Sequence, residues 1–266
     1  MKADYHIHSY HSGDSNTPME QMILEGIRLG LDTMCFTEHQ DYDYPDNGVS
    51  FLLNTAAYFE EFTLMQNKYK DQIELLFGVE LGLQPHLKQQ LQTYVKSYPF
   101  DFIIGSSHLV KGQDPYYPVF FEGRSEADCY MEYFSSIIEN LQSFTDFSVY
   151  GHLDYIVRYG PNKNAHYSYE KYRCVIDNIL SILIEKGIGL ELNTAGFKYG
   201  LGHAHPHSEI LKRYHQMGGE IITVGSDAHR PEHLAYDFSL VKEILKNCGF
   251  QYYAAFRNRK PQFIKL

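Results

Sequence analysis

Tryptophan is absent from this 266-residue chain, and cysteine is scarce, with only Cys35, Cys129, Cys174 and Cys248. No two cysteines form a Cys-x-x-Cys pair or stand close together, which speaks against a disulfide scaffold and a zinc knuckle. Cys35 lies inside the apolar run TMCF and reads as a buried thiol. No apolar run reaches the ~20 residues that a membrane-spanning helix needs, and the opening MKADYHIH lacks the hydrophobic stretch of a signal peptide. These absences lead us to expect a reducing, cytoplasmic setting and no membrane partner. Basic residues are in deficit as well, 23 Lys and Arg against 33 Asp and Glu, for a net charge of -10. Nucleic-acid backbones are gripped by clustered cations, so this balance argues against a nucleic-acid partner. It leaves room for a small phosphorylated ligand in a locally positive pocket. Nothing in the sequence sets an oligomeric state.

Apolar residues make up 44% of the chain and charged residues 21%, enough for a sizeable core. Short β-type runs alternate with longer stretches of helical period. Strands are expected at 3–8, 33–38, 74–80, 101–106, 147–152, 188–193 and 220–226, and helices near 18–30, 53–70, 86–97, 126–143, 168–186, 207–217 and 237–247. The first helix carries a start signal, with Thr17 as N-cap, Pro18 at the first helical position and Glu20 completing a capping box. Gly30, Gly187 and Gly218 suit helix ends. Strand–helix alternation predicts a mostly parallel sheet covered by helices, closed into a barrel or open and doubly wound. No linker or repeat divides the chain, and the tail 251–266 reads as two short β pieces of the same unit, so residues 1–266 are expected to form a single domain.

The 14 histidines are informative through their placement. His6 and His8 end the first expected strand, Glu38 and His39 the second, and Glu80 the third. His108 follows the fourth, His152 ends the fifth, Asn193 the sixth, and Asp227 with His229 the seventh. In a β/α barrel those ends converge on one face, where active sites of that architecture sit. Within His6-Ile7-His8, and again within Asp227-Ala228-His229, two-residue spacing on a strand turns both groups to one side. One His-x-His arises easily by chance; the joint set does not. Mixed imidazole and carboxylate donors suit Zn, Mn or Fe better than Mg or Ca. Their number exceeds what one ion needs, so two or three divalent ions are expected, with Glu80 placed to bridge. Such ions acidify bound water and clamp the oxygens of a phosphoester.

The segments DYHIHSYHSGD, FTEH, GVELG, GSSH, GHLD, LELNTAG and VGSDAH resemble the metal motifs of the PHP (polymerase and histidinol phosphatase) superfamily. Their order and whole-chain coverage are similar to its monofunctional histidinol-phosphate phosphatases. The resemblance implies an α/β fold, a distorted (β/α)7 TIM-like barrel with the active site at the C-terminal ends of the strands. It also implies a trinuclear centre, with His6, His8, Glu80 and Asp227 on one ion, Glu80, His108 and His152 on a second, and Asp14, His39 and His229 on the third. Relatives often carry histidine where Asp14 stands; Asp14 is preferred by position over the nearby His11. Arg158, in GHLDYIVRYG, resembles the family's phosphate-binding arginine, a role that a guanidinium fits well. Lys198, Asn193 and Tyr117 are further candidates for substrate contact, Asn193 also as a brace.

The implied reaction is metal-dependent hydrolysis of L-histidinol phosphate to L-histidinol and phosphate, a step of histidine biosynthesis. A metal-bridging hydroxide is expected to attack phosphorus in line, with Arg158 stabilising the developing charge and Asp227 or His229 passing a proton to the leaving alkoxide. Rival readings are a PHP enzyme acting on another phosphoester such as a nucleotide, an amidohydrolase and a non-enzymatic metal module. Glu80 counts against the amidohydrolase, whose comparable position usually holds a carboxylated lysine. Arg158 counts against the module. For any single histidine a structural role is the default. The run His203-Ala204-His205-Pro206-His207 reads as an exposed loop ahead of a helix begun by Pro206, and Glu38 as a residue turned away from the ligands.

Overall fold

A computed structural model describes residues 2–45 and 48–266. Seven strands pair in parallel in sequence order: Ala3–Ile7 (β1), Thr33–Gln40 (β2), Glu74–Gly82 (β3), Phe102–Ser106 (β4), Val149–Tyr150 (β5), Gly189–Asn193 (β6) and Ile222–Gly225 (β7). Outside them lie Met19–Leu29 (α1), Thr55–Tyr69 (α2), Lys88–Tyr94 (α3), Glu126–Ser143 (α4), Tyr169–Lys186 (α5), Ala195–Lys198 (α6), Ser208–Gln216 (α7) and Phe238–Cys248 (α8). The expected strands and helices are thus present in order. Among the described residues no helix is long and apolar enough to cross a membrane.

The longest register runs from Thr33↔Glu74 to Gln40↔Leu81. Between β1 and β7 the barrel closes only at its upper end, where Ile7 bridges Ala228 and the His8 N–H donates to the Ala228 carbonyl at 2.9 Å. Below that bridge Asp4 clasps the seam. Its carboxylate accepts from the Ser226 N–H at 3.0 Å and the Ser226 hydroxyl at 2.5 Å. Burial pushes the Asp4 carboxyl up to about 6 against these hydrogen bonds. The register of β1 shifts between Asp4 and Ile7. That bulge lets Tyr5 pack into the lower core and still turns His6 and His8 to the upper face.

The capping box expected at α1 does not form. Pro18 is the N-cap and no side chain caps the helix. The Thr17 hydroxyl instead donates to the His229 carbonyl at 3.0 Å, tying the helix entry to the β7 loop, and Glu20 accepts from the Tyr69 hydroxyl. Gly30 and Gly187 do end α1 and α5 in the left-handed conformation. The helix expected over 86–97 is a 3-10 turn, Pro85–Leu87, leading into the short α3.

The tail forms an antiparallel hairpin of Tyr252–Arg257 (β8) and Lys260–Lys265 (β9). Ala254, Ala255 and Phe256 pack with Ala3, Tyr5, Cys35, Leu76, Phe102, Ile104 and Val149, which line the start of the barrel strands. The Tyr5 hydroxyl donates to the Phe256 carbonyl at 3.2 Å and accepts from its N–H at 2.9 Å. The hairpin therefore plugs the end of the barrel opposite the ligands. Removing the buried Phe256 ring with Phe256→Ala should cost about 3–5 kcal/mol, read as a lower midpoint in urea unfolding of the metal-free protein.

Candidate metal centre

Alternation along each strand carries the interior from apolar below to polar above. On β4, Phe102 and Ile104 belong to the lower core; Ser106 and His108 follow at the same two-residue spacing. On β3, Leu76 lies below and Glu80 above. Glu80 has no exposed surface. Its Oε2 lies 3.1 Å from His6 Nε2, 3.5 Å from His8 Nε2 and 3.2 Å from His39 Nδ1. Its Oε1 lies 3.2 Å from His108 Nε2 and 2.9 Å from His152 Nε2, and accepts from the Ser106 hydroxyl at 2.6 Å. The two oxygens thus face two separate groups of imidazoles, the arrangement a bridging carboxylate requires.

Asp227 extends the first group, its Oδ1 3.8 Å from His6 Nε2 and 3.6 Å from His8 Nε2. Its backbone is left-handed, with φ at 53°, a conformation that non-glycine residues adopt mainly where the surroundings impose it. Asp14 defines a third group, its Oδ2 3.1 Å from His229 Nε2 and 3.7 Å from His39 Nε2. His11 turns away and pairs with Glu61 at 2.8 Å. All nine residues expected as ligands are therefore brought together, with Asp14 rather than His11 in the cluster.

The donors fit divalent cations. Among the described residues, His8 Nε2, His39 Nδ1, His229 Nε2 and Asp41 Oδ2 are buried without a hydrogen-bond partner, an arrangement native interiors avoid unless another group satisfies those atoms. Nitrogen and carboxylate donors close enough to share an ion recur in His6, His8 and Glu80, in Glu80, His108 and His152, and in His8, His39 and His229. Burial pushes the Glu80 carboxyl up, but His6, His108 and His39 outweigh it and hold Glu80 well below the carboxylate range. Asp227 is likewise pushed up by burial and held well below its range by His6, His229, Arg158 and Lys198.

Several imidazoles are oriented from behind by carboxylates, a common device at metal sites. Glu191 Oε1 lies 2.6 Å from His6 Nδ1, and Asp41 Oδ1 lies 2.7 Å from His108 Nδ1. Both approaches need glycine next door: a Cβ on Gly225 would overlap His6 and Glu191, and one on Gly82 would overlap Asp41. These supporting acids were missed in the sequence, although the signal was present. Asp41 stands two residues after His39 and Glu191 two before Asn193, each on the face already marked.

Above the centre opens a cleft of about 620 Å³, lined by His39, His108, His152, Asp227 and His229 at its floor and by Arg158, Lys198, Tyr116, Tyr117, Tyr155 and Tyr199 among its walls. Arg158 lies over the Tyr155, Tyr159 and Tyr199 rings at 4.4, 5.0 and 4.5 Å. Its Nη1 lies 3.4 Å from Asp227 Oδ2. Lys198 Nζ donates to the Asp227 carbonyl at 3.1 Å, and burial lowers its ammonium below the usual lysine range.

Two expectations need correction. Asn193 is fully buried, and its amide serves the interior: Oδ1 accepts from the Ala195 N–H at 2.9 Å and Nδ2 donates to Glu191 at 3.2 Å. It braces the acid behind His6 and does not line the cleft. The His203–His207 run is no exposed loop either, because His205 is fully buried. His205 pairs with the Asp154 carboxylate and exchanges both backbone hydrogen bonds with Asn193, at 2.7 and 2.8 Å. The following helix begins at Ser208, capped by His207, rather than at Pro206. A loop polar in composition is drawn inside because a buried aspartate awaits its imidazole.

A β/α barrel with histidine and carboxylate donors at the C-terminal ends of its strands defines a metal-centred barrel protein. The PHP domain family model matches residues 4–195, and the chain belongs to that family. It is 32% identical over 260 residues to a histidinol-phosphatase of Lactococcus lactis, covering 97% of this chain and 96% of the relative. A probable histidinol-phosphatase of Clostridium acetobutylicum is 30% identical, with 94% and 95% covered. The crystal structure of the Lactococcus lactis histidinol phosphate phosphatase, complexed with Zn, L-histidinol and phosphate, superposes with a TM-score of 0.91 at 31% identity, with 98% of each chain covered.

Metal analysis separates the two acid and imidazole candidates of the third group. Asp14→Asn should weaken binding of one ion by at least the ~10-fold that loss of even an outer-shell partner costs, read in a chelator titration followed by elemental analysis. His11→Ala should retain the wild-type metal content.

Proposed function

We propose that this chain is a metal-dependent phosphomonoesterase that hydrolyses L-histidinol phosphate to L-histidinol and phosphate, a reaction of histidine biosynthesis. The observation that carries this reading is Glu80, whose two oxygens face separate imidazole groups beneath a cleft walled by a buried arginine. The likeness to the Lactococcus lactis enzyme, whose structure holds Zn, L-histidinol and phosphate, supports the same substrate and disfavours a nucleotide or other small phosphoester. We assign residues 1–266 to one domain. The cysteines are unpaired and three are buried, which suits the reducing cytoplasm.

His6, His8, Glu80 and Asp227 would hold one divalent ion, Glu80, His108 and His152 a second, and Asp14, His39 and His229 a third. Zn, Mn and Fe all suit these donors. Bound there, such ions lower the pKa of water and neutralise ester charge. The chain's own residues do the rest. Arg158 presents its guanidinium to the phosphoryl oxygens, pinned between the tyrosine rings so that little reorganisation remains when charge builds. Lys198 adds a second cation from the α6 side, and Tyr117 forms part of the wall around the substrate. Asp227 has a division of labour: Oδ1 faces His6 and His8, while Oδ2 faces Arg158 and the cleft. Oδ2, kept anionic beside Arg158, is placed to relay to the leaving alkoxide a proton given up by the attacking water. His229 has Nδ1 engaged with the Asp227 carbonyl at 3.1 Å and leaves Nε2 facing the third group beside Asp14, which suits a ligand better than a proton donor.

Phosphate release from L-histidinol phosphate should exceed release from a nucleotide panel and should disappear on chelation. Activity confined to nucleotides would overturn the substrate while keeping the centre. Arg158→Ala should lower kcat/KM by about 10²–10³-fold with metal content unchanged. Asp227→Asn that kept its full metal complement and wild-type turnover would remove Asp227 from the proton path.

A further inference from the structure

Ser12 belongs to none of the three ligand groups, yet it touches two of them. It is 1% exposed and sits in a turn after β1, where its N–H donates to the Ser9 carbonyl at 3.0 Å and its carbonyl accepts from the Ser15 N–H at 3.1 Å. Its hydroxyl has three neighbours at hydrogen-bonding distance. Glu38 Oε2 lies at 2.6 Å, the His39 backbone nitrogen at 3.0 Å and His8 Nδ1 at 3.0 Å.

A hydroxyl offers one proton and two lone pairs. The His39 N–H can only donate, so it occupies one lone pair. Glu38 is an acceptor throughout: the Ser9 N–H donates to both its oxygens at 3.0 Å, and the Ser9 hydroxyl to Oε1 at 2.6 Å. The Ser12 proton therefore goes to Glu38 Oε2. Only a lone pair is left for His8, so His8 Nδ1 must carry a proton. The imidazole lone pair then lies on Nε2, the atom 3.5 Å from Glu80 and 3.6 Å from Asp227.

We propose that Ser12, polarised by Glu38, is a positioning residue that fixes the tautomer of His8 and in the same act anchors the backbone of His39. One hydroxyl thus registers two ligands contributed by different strands. The proposal rests on the metal-centre part of the reading above and is independent of the substrate. It also explains why His8 lacks the direct carboxylate support given to His6 and His108. Its acid, Glu38, lies on the opposite side of β2 from His39, and the serine carries its influence around the strand end.

The test is the nitrogen chemistry of the metal-free enzyme. Long-range proton–nitrogen correlation spectra of 15N-labelled wild type, with His8 assigned by comparison with His8→Asn, should show His8 protonated at Nδ1 and bare at Nε2. In Ser12→Ala, with folding checked by thermal melting, the His8 pattern should move toward Nε2–H. Zinc held through His8 and His39 should bind about 10–100-fold more weakly, while the ion of Glu80, His108 and His152 stays. Ser12→Thr, which keeps the hydroxyl, should restore the pattern. A wild-type His8 protonated at Nε2 overturns the proposal whether or not the alanine variant folds, as does a folded Ser12→Ala with unchanged spectrum and affinity. Wild type that binds no zinc, manganese or iron would instead sink the metal centre itself.

Discussion

A carboxylate with no access to water is stable only if its charge is answered from every side. Glu80 is that carboxylate, and the upper half of the barrel is arranged around it. His6 and His8 come to it from β1, His39 from β2, His108 and His152 from the loops after β4 and β5. Three of the imidazoles that meet Glu80 have support behind them, His6 from Glu191, His108 from Asp41 and His8 from Glu38 through Ser12. Glu191 and Glu38 in turn need donors, which Asn193 and the His152 N–H provide to the first and the Ser9 backbone to the second. The result is a polar network set into an apolar shell, where a half-satisfied member would be costly. That cost is why small residues at Gly82 and Gly225 are required: they make room for the second layer of acids.

The division between the two ends of the barrel follows from this. Below, Tyr5, Cys35, Leu76, Phe102 and Phe256 pack as an ordinary core, sealed by the terminal hairpin. Above, the same strands switch to histidine and carboxylate without a change of alternation, apart from the bulge in β1. The lower half supplies rigidity, and the upper half holds charged groups that would repel or collapse without it. Function is carried at the end where loops follow strands, and stability at the other.

The sequence made much of this legible, for identifiable reasons. Strands and helices were readable because hydrophobic period and length change together from one to the other, and the ligands because they punctuate strand ends. What stayed hidden was of three kinds. Asp41 and Glu191 were overlooked because attention rested on the last polar residue of each strand, although two-residue spacing placed them on the same face. The loop around His205 was misread because composition says nothing about a partner that arrives from another strand. The capping box at Thr17 was overridden by a tertiary acceptor, the His229 carbonyl, which competes for the same hydroxyl. Local rules fail here where a long-range polar partner is offered, and that happens mostly around the metal centre.

The narrow seam between β1 and β7 has a consequence of its own. Among the described residues one backbone bridge and the Asp4 clasp join these strands, yet His6 and His8 stand on one side of the seam and Asp227 and His229 on the other. An ion shared between them would act as a rivet across this seam, joining segments some 220 residues apart in the chain. Cross-links that close such long loops remove the most freedom from the unfolded chain. Metal loading at those ligands would then also help to hold the barrel shut.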